Sequence, residues 1–270
     1  MLIDFHTHVF PEKIAERTLK ALSDASNGIL PCFDGTVDGL LGVMEKANAD
    51  ISVALPVLTK PTQFETVANY AISINNRFNG EGKKIISFGG IHPDCDDIKG
   101  KLTFLKEKGI KGVKIHPDYQ NTFIDDPKYI NILKTAKELD LIVVTHSGVD
   151  YGYIGQPVKC PPEKVKKVIE EVGITKFVLG HFGGHAQWEE VLEKLAGLDV
   201  YFDTAYTLDE ITPELFKEIL KKHGEDKVLF ATDCPWKDIK EHYDILKSYR
   251  LDKETEDKIF YKNALKLLEI

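Results

Sequence analysis

The sequence is poor in cysteine and lacks both basic clusters and long apolar runs. Four cysteines are scattered over 270 residues without a Cys-x-x-Cys pair, which argues against a disulfide framework or a cysteine-rich zinc module and favours free thiols in a reducing cytoplasm. A net charge of −8 without a Lys/Arg stripe argues against nucleic acid and anionic membranes as partners. No apolar run approaches the roughly 20 residues that cross a bilayer, and the N-terminus lacks the pattern of a signal peptide. We therefore expect a cytoplasmic protein with a small-molecule partner and, as a possible assembly, a homodimer.

Short apolar runs rich in Val, Ile and Phe recur along the whole chain, and segments with helical periodicity separate most of them. Leu141-Ile142-Val143-Val144 is continuously apolar, as expected of a strand in a parallel sheet that is covered on both faces. The eight predicted strands are 2–5, 51–55, 85–89, 112–115, 141–145, 176–180, 199–203 and 228–232.

Repeated strand–helix units with buried strands predict an α/β fold. Eight units in about 250 residues are typical of a (β/α)8 TIM barrel, which we predict as a single domain over residues 1–270. A doubly wound open sheet is the alternative, although no Gly-x-Gly-x-x-Gly turn follows any predicted strand. Two connections are unusually long: 10–37, with a predicted helix from Pro11 to Leu22 followed by a loop over the mouth of the barrel that includes Asn27-Gly28, and 148–162. Long loops in a compact domain often cover a functional site.

Histidines concentrate where the predicted strands end. His6 and His8 lie two residues apart on the first strand, so their rings project from the same face. Barrel active sites form at this end of the strands, and imidazole is a common ligand of zinc and similar ions. The histidines at predicted strand ends are His6, His8, His92, His116, His146, His181 and His185.

A catalytic zinc keeps three or four His and carboxylate ligands and leaves a position for water. His6, His8, His146 and Asp233 would supply such a set, and the ion would lower the pKa of its water. Asp233 could accept the proton of that water, and His181 could polarise a carbonyl or protonate a leaving group. The simpler alternatives are a backbone-bonded buried role for His146 and a helix N-cap role for Asp233.

The motifs as a set resemble the amidohydrolase superfamily. They are His-x-His on strand one, the histidine after strand five, His-x-Gly-Gly after strand six and Thr-Asp-x-Pro after strand eight. Lys114-Ile115-His116-Pro117 and Thr145-His146-Ser147-Gly148 are similar to the branch that contains aminocarboxymuconate semialdehyde decarboxylase. The resemblance extends over essentially the whole chain. It implies a distorted barrel with one divalent ion, often zinc, on the residues matching His6, His8, His146 and Asp233, and acid–base work for His181.

We expect a metal-dependent hydrolase of a lactone, ester or amide. The alternative is a decarboxylase of an aromatic or enoic acid, although Arg17, Arg77 and Arg250 all lie in predicted helices and none is placed to hold a carboxylate. A barrel that binds without turnover and a TatD-like nuclease are further rivals. The predicted substrate contacts are Lys114, His116, His92, Phe33, Tyr151 and Tyr153.

Overall fold

The structure is a computed structural model, and it describes residues 1–26, 28–80, 82 and 84–270. The strands are β1 (Ile3–Thr7), β2 (Ile51–Ala54), β3 (Lys84–Ser87), β4 (Gly89–Gly90), β5 (Gly112–Ile115), β6 (Ile142–Thr145), β7 (Phe177–Leu179), β8 (Tyr201–Asp203) and β9 (Val228–Leu229). The α-helices are α1 (Glu12–Ala25), α2 (Val37–Ala47), α3 (Phe64–Arg77), α4 (Ile98–Glu107), α5 (Pro127–Glu138), α6 (Pro162–Val172), α7 (Trp188–Lys194), α8 (Pro213–His223), α9 (Ile239–Ser248), α10 (Lys253–Asp257) and α11 (Asn263–Leu268).

The strands form two parallel sheets that meet at both edges. One sheet has the order β1-β2-β3 and the other runs from β4 to β9. On one side, β3 and β4 are separated by Phe88 alone and occupy the position predicted for strand 85–89. On the other side, the Phe5 amide donates to the Phe230 carbonyl at 2.9 Å, and Thr7 bridges to Cys234. These links give the parallel α/β barrel arrangement that the sequence predicts.

Alternation of side chains along the strands builds two apolar layers. In β6, Ile142 and Val144 join an interior cluster with Ile3 and Phe5, whereas Val143 packs with residues of the surrounding helices. Leu267 and Leu268 of α11 belong to the interior cluster, so the C-terminal helix covers part of it. Burial on both faces explains the continuously apolar strands.

The predicted elements agree with the structure apart from their ends and the division of predicted strand 85–89 at Phe88. The prediction that Arg250 lies in a helix is wrong, because α9 ends at Ser248 and Arg250 has a φ of +54°. The helix predicted from Pro11 to Leu22 is α1, which continues to Ala25. Asn27 of the predicted loop lies outside the described residues. Residues 28–36, here called the cover segment, lead into α2, and Tyr151–Tyr153 form a 3-10 turn within the connection 148–162. Within the described residues, no helix combines the length and the apolar character needed to cross a membrane.

His223 at the end of α8 should make folding stability depend on acid. Its ring stacks on Phe202 with centroids 3.8 Å apart, and burial lowers its pKa from 6.5 to about 4. Below pH 6.5 His223 is therefore protonated in the unfolded chain, whereas in the folded chain it stays neutral down to about pH 4. We expect this histidine to remove about 3 kcal/mol of unfolding free energy between pH 6.5 and 4, and none of it above pH 6.5.

The test is to compare the unfolding free energy of the wild type and of His223→Phe by urea titration at several pH values. The variant keeps an aromatic ring against Phe202 but cannot titrate. Its stability should fall less steeply below pH 6.5, whatever its absolute stability is at pH 7. Parallel curves for the two proteins would contradict the prediction.

Candidate metal centre

The site lies at the C-terminal ends of the strands. Each strand of a parallel barrel delivers its last residues to the same rim, so residues far apart in sequence become neighbours. The polar groups at this rim are His6 from β1 and His8 directly after it, Lys114 from β5, His146 after β6, His181 after β7, Asp203 at the end of β8 and Asp233 after β9.

His6, His8 and Asp233 form one group of donors. Their ligand atoms all lie within 4.8 Å of one another. The Asp233 Oδ1 is 3.0 Å from His8 Nε2 and 3.5 Å from His6 Nε2. Asp233 has a positive φ of 69°, and its amide donates to the His6 carbonyl, so its backbone is fixed to β1. Two imidazoles and a carboxylate at this spacing fit a divalent ion.

The alternative role of Asp233 as a helix cap is not observed. The following helix, α9, is capped by Asp238, whose carboxylate accepts from the amides of Lys240 and Glu241. The Asp233 side chain is thereby left to face the two histidines. Burial alone would raise the pKa of Asp233, but the hydrogen bond with His8 and the electrostatic influence of the neighbouring histidines hold it well below its usual range. The carboxylate is therefore ionised at neutral pH.

Hydrogen bonds fix a proton on the Nδ1 atom of three histidines. The Nδ1 atoms of His6, His8 and His181 face the Asp203 carboxylate at 2.8 Å, the Leu55 carbonyl at 2.8 Å and the Ala205 carbonyl at 3.0 Å, respectively. These oxygens can only accept, so each Nδ1 carries a proton. The Nε2 atoms of His6 and His181 then keep a lone pair, whereas His8 Nε2 is hydrogen-bonded to Asp233 Oδ1 at 3.0 Å. For His6 that lone pair faces the Lys114 Nζ at 3.0 Å. Such outer partners are typical of metal-ligating histidines.

Asp203 should therefore control metal affinity through His6. Its second oxygen accepts from the amides of His181 and Ala205, so in Asp203→Asn the amide oxygen would stay there and the NH₂ would turn towards His6. His6 Nδ1 would then have to accept, which moves its proton to Nε2 and blocks the lone pair. We expect about 10–100-fold weaker metal binding, measured by competition with a chromogenic chelator. Unchanged affinity would contradict this assignment.

His146 lies in a second group, together with His116 and Asp150. The ligand atoms of these three residues also lie within 4.8 Å of one another. The His146 ring stacks on His116 and lies 4.6 Å from the His181 ring, and its Nε2 is buried without a hydrogen-bond partner in the described part of the chain. A buried lone pair without a partner is costly unless something binds it. The alternative role for His146, a buried side chain hydrogen-bonded to the backbone, is therefore not supported at Nε2.

His116 differs from these three histidines because its Nδ1 carries no proton. Its Nδ1 accepts from the Tyr119 amide at 3.3 Å, so Nε2 carries the proton and faces Asp150 at 3.4 Å. Burial raises the pKa of Asp150 to about 6. The pair can therefore hold or deliver a proton, and His116 is poorly suited as a ligand in this form.

A cavity of about 470 Å³ opens above these groups. Its walls come from one face of α1, the connection after β2 and the connection after β6. Burial lowers the pKa of Lys114, the lysine at its base, to about 8. The apolar and aromatic lining includes Phe10, Ile14, Leu22, Ile29, Leu55, Val57, Tyr70, Tyr119, Tyr151, Tyr206 and Trp236. No arginine is among the described lining residues, so the walls suit a small and mainly apolar molecule.

The predicted substrate contacts divide into two sets. Lys114, His116 and Tyr151 line the cavity, whereas Phe33, His92 and Tyr153 are not among its lining residues. His92 instead accepts a hydrogen bond from the Asp94 amide through Nδ1, and the Tyr153 ring lies 5.7 Å from Tyr119. All six assignments stay predictions, and the cavity supports the first three.

Several groups around the cavity have no role in the sequence prediction. Asp203 could have been found, because it ends a predicted strand just as Asp233 follows one. The acidic residues Asp150 and Glu210 lie in connections, where no periodic pattern fixes their direction. Glu210 accepts from Tyr151 Oη at 2.8 Å and lies 3.0 Å from His185 Nε2, which ties the connection after β6 to the one after β8.

Comparison with known proteins identifies the family. A family model described as amidohydrolase matches residues 3–270. The chain belongs to this family. The predicted superfamily membership and the parallel α/β fold are thereby confirmed. Comparison with curated protein sequences finds no match.

Solved structures are similar to this amidohydrolase over almost the whole length of both chains. An uncharacterized TIM-barrel protein from Bordetella bronchiseptica has a TM-score of 0.76 at 15% identity and covers 99% of this chain and 98% of its own. A 5-carboxyvanillate decarboxylase from Novosphingobium aromaticivorans with bound manganese has 0.74 at 13%, covering 100% and 97%. A probable 2-pyrone-4,6-dicarboxylic acid hydrolase from Acinetobacter baumannii has 0.68 at 16%, covering 100% and 99%. At these identities the likeness concerns the fold.

Proposed function

We propose that this amidohydrolase is a metal-dependent hydrolase of a small lactone, ester or amide. The observation that carries the proposal is the group of His6, His8 and Asp233, with donor atoms within 4.8 Å of one another at the base of a largely apolar cavity of about 470 Å³. We assign the ion to these three residues, with His146 as the proposed fourth ligand. Its buried Nε2 without a partner supports this role.

Zinc is the ion that we propose, at one per chain. The Nε2 atoms of His6 and His8 fit an ion that prefers imidazole, whereas manganese prefers oxygen donors. Manganese is the competing candidate because the similar 5-carboxyvanillate decarboxylase is described with it. When bound, the ion would supply Lewis acidity and lower the pKa of a water molecule.

The chain's own residues would handle the protons of hydrolysis. Asp233, ionised in the site, would accept the proton of the attacking water and pass it to the leaving group. His181 Nε2 keeps its lone pair because Nδ1 donates to Ala205, and burial lowers its pKa to about 3. In the resting site His181 is thus a hydrogen-bond acceptor, and the predicted role as proton donor requires that it first take up a proton.

The cavity limits the substrate class. Apolar and aromatic side chains form most of its wall, and Lys114 is the non-histidine cation among the described lining residues. We propose a substrate with a flat or apolar body and one carbonyl directed to Asp233 and the histidines. A second charged group far from the ion would lack a cationic partner there.

Decarboxylation of a small aromatic or enoic acid is the second candidate. The observation in its favour is the His116–Asp150 pair, which lines the cavity and can supply a proton to the carbon that loses carbon dioxide. The similar 5-carboxyvanillate decarboxylase adds to its weight.

Isotope labelling separates the two reactions. Protein loaded with zinc or manganese is offered panels of lactones, esters, amides and phenolic acids in H₂¹⁸O. Hydrolysis places ¹⁸O in the new carboxylate, whereas decarboxylation releases carbon dioxide and leaves the product without ¹⁸O from solvent. We expect ¹⁸O incorporation and loss of turnover after removal of the metal with a chelator. Carbon dioxide release without ¹⁸O incorporation would overturn the hydrolase proposal, and turnover by metal-free protein would overturn both.

We further propose that the protein acts in the cytoplasm and forms a homodimer. Cys32, Cys95, Cys160 and Cys234 are free thiols, which fits a reducing compartment. Sedimentation or light scattering would test the homodimer.

A further inference from the structure

Two of the free thiols lie in contact at the edge of the metal centre. The Sγ atoms of Cys32 and Cys234 are 3.7 Å apart although the residues are separated by 202 positions. Cys32 is an exposed residue of the cover segment, and Cys234 directly follows Asp233 and is fully buried. From this juxtaposition we propose that Cys32 and Cys234 form a reversible disulfide that ties the cover segment to the loop carrying Asp233.

The backbone holds both cysteines in place for this bond. The Cys32 amide donates to the Pro235 carbonyl at 2.7 Å, and the Cys234 carbonyl accepts from the His8 amide at 2.7 Å. Farther along the cover segment, the Gly35 carbonyl accepts a hydrogen bond from the Phe10 amide at 2.7 Å. Both cysteines lie in anchored segments of the backbone, and their sulfurs are already in van der Waals contact. The two sulfurs must approach each other by about 1.6 Å to reach the length of a disulfide bond.

The environments of the other cysteines mark this pair as the site of oxidation. Cys95 Sγ faces the Pro61 carbonyl, and Cys160 Sγ faces the hydroxyls of Thr145 and Ser147. Both are buried. Cys32 is the exposed thiol, and the hydrogen bond from Cys234 lowers its pKa, which favours the thiolate that reacts with oxidants.

A peroxide is the oxidant class that balances the reaction. The Cys32 thiolate attacks one oxygen of hydrogen peroxide, the O–O bond breaks, and Cys32 becomes a sulfenic acid while hydroxide leaves and takes up a proton as water. Cys234 then loses its proton and attacks the Cys32 sulfur, which expels a second hydroxide that also becomes water. Two thiols and one peroxide give one disulfide and two waters.

The bond would act on the metal centre through Asp233. A bond to Cys32 would pull on Cys234 and thereby on the neighbouring Asp233, whose distance to a bound ion should lie within about 0.2 Å of its usual value. We therefore expect the oxidised protein to bind metal at least about tenfold more weakly. Dithiothreitol should restore the affinity. The disulfide itself is independent of the proposed reaction, whereas the accompanying loss of turnover rests on the proposed function.

The experiment treats the full chain with one equivalent of hydrogen peroxide and measures intact mass, peptide cross-links and zinc affinity. We expect a loss of about 2 Da, for the two hydrogens removed, and a cross-link between the peptides of Cys32 and Cys234. Dithiothreitol should reverse both. Cys32→Ser should abolish the cross-link and the fall in affinity, whereas the matched control Cys95→Ser should show both.

Three outcomes would overturn the proposal. They are a cross-link that persists in Cys32→Ser, a cross-link between other cysteines, and oxidation of Cys32 to sulfinic acid without any cross-link. A disulfide that forms while zinc affinity stays unchanged would overturn its action on the metal centre. Zinc binding is measured without substrate, so these results are separable from a failure of the proposed hydrolysis.

Discussion

Asp233→Asn should abolish most metal binding and turnover while leaving the fold intact. Asparagine has nearly the same shape and tolerates the positive φ of 69° at this position. The change removes the negative charge that faces His6 and His8 and the group that would accept the proton of water. We expect turnover to fall by about 10²–10⁴-fold, with bound zinc after desalting reduced well below one per chain.

Asp150→Asn is the matched control for this variant. Asp150 also lines the cavity, and its oxygen that accepts from the Gly152 amide would be kept by asparagine. Hydrolysis through Asp233 predicts a modest effect of Asp150→Asn and near-normal zinc content. If Asp233→Asn retains zinc and activity, the assignment of the metal centre is wrong. If Asp150→Asn is the more damaging change to turnover, proton delivery by the His116–Asp150 pair, and with it decarboxylation, gains the stronger support.

Gly148→Ala should be among the most destabilising single substitutions in the chain. Gly148 has a φ of +86°, and a Cβ added there would lie 2.2 Å from the His185 amide nitrogen and 2.5 Å from the His185 carbonyl oxygen. These are backbone atoms held by hydrogen bonds between Ser147, Val149 and His185, so they cannot move aside cheaply. We expect a loss of about 4 kcal/mol or more, seen as a fall in Tm of about 10 °C or more.

Gly155→Ala separates the two causes of that loss. Gly155 has a similar φ of +83° in the same connection, but nothing lies within 4 Å of an added Cβ. It should therefore show the cost of the backbone conformation alone, about 1 kcal/mol. Urea unfolding of both variants provides the comparison. Equal losses in the two proteins would show that close approach of the His185 backbone contributes nothing.

The elements of the barrel were predictable because their signals are local. The run Leu141 to Thr145 is apolar throughout, and β6 covers Ile142–Thr145. Strand ends were less predictable: the predicted strand 228–232 is observed as Val228–Leu229. The apolar run continues, but its hydrogen bonds pass to β1 and to Ile259 instead of forming a regular ladder. The break at Phe88, which divides one predicted strand between two sheets, has no local signal.

The sequence predicts which residues belong to the site better than it predicts how they are arranged. Because parallel strands end at one rim, the positions of His6, His8, His146 and Asp233 at strand ends were enough to bring them together. The division of donors into two groups, with His146 beside His116 and Asp150, depends on loop geometry and ring stacking. No periodicity encodes these features. The role of Asp203 also depends on a contact across 197 positions.

The proton fixed on His6 Nδ1 has a consequence for how an ion would arrive. His6 already presents a bare Nε2 atom, since the Asp203 carboxylate holds its proton on the far side of the ring. Uptake of an ion therefore need not expel a proton from the His6 ring, whereas at His8 the ion has to replace the hydrogen bond between Nε2 and Asp233. The hydrogen bond from Lys114 to His6 must also break, so the lysine ammonium occupies the position beside His6 until an ion binds. At His6, metal binding is then an exchange of one positive group for another.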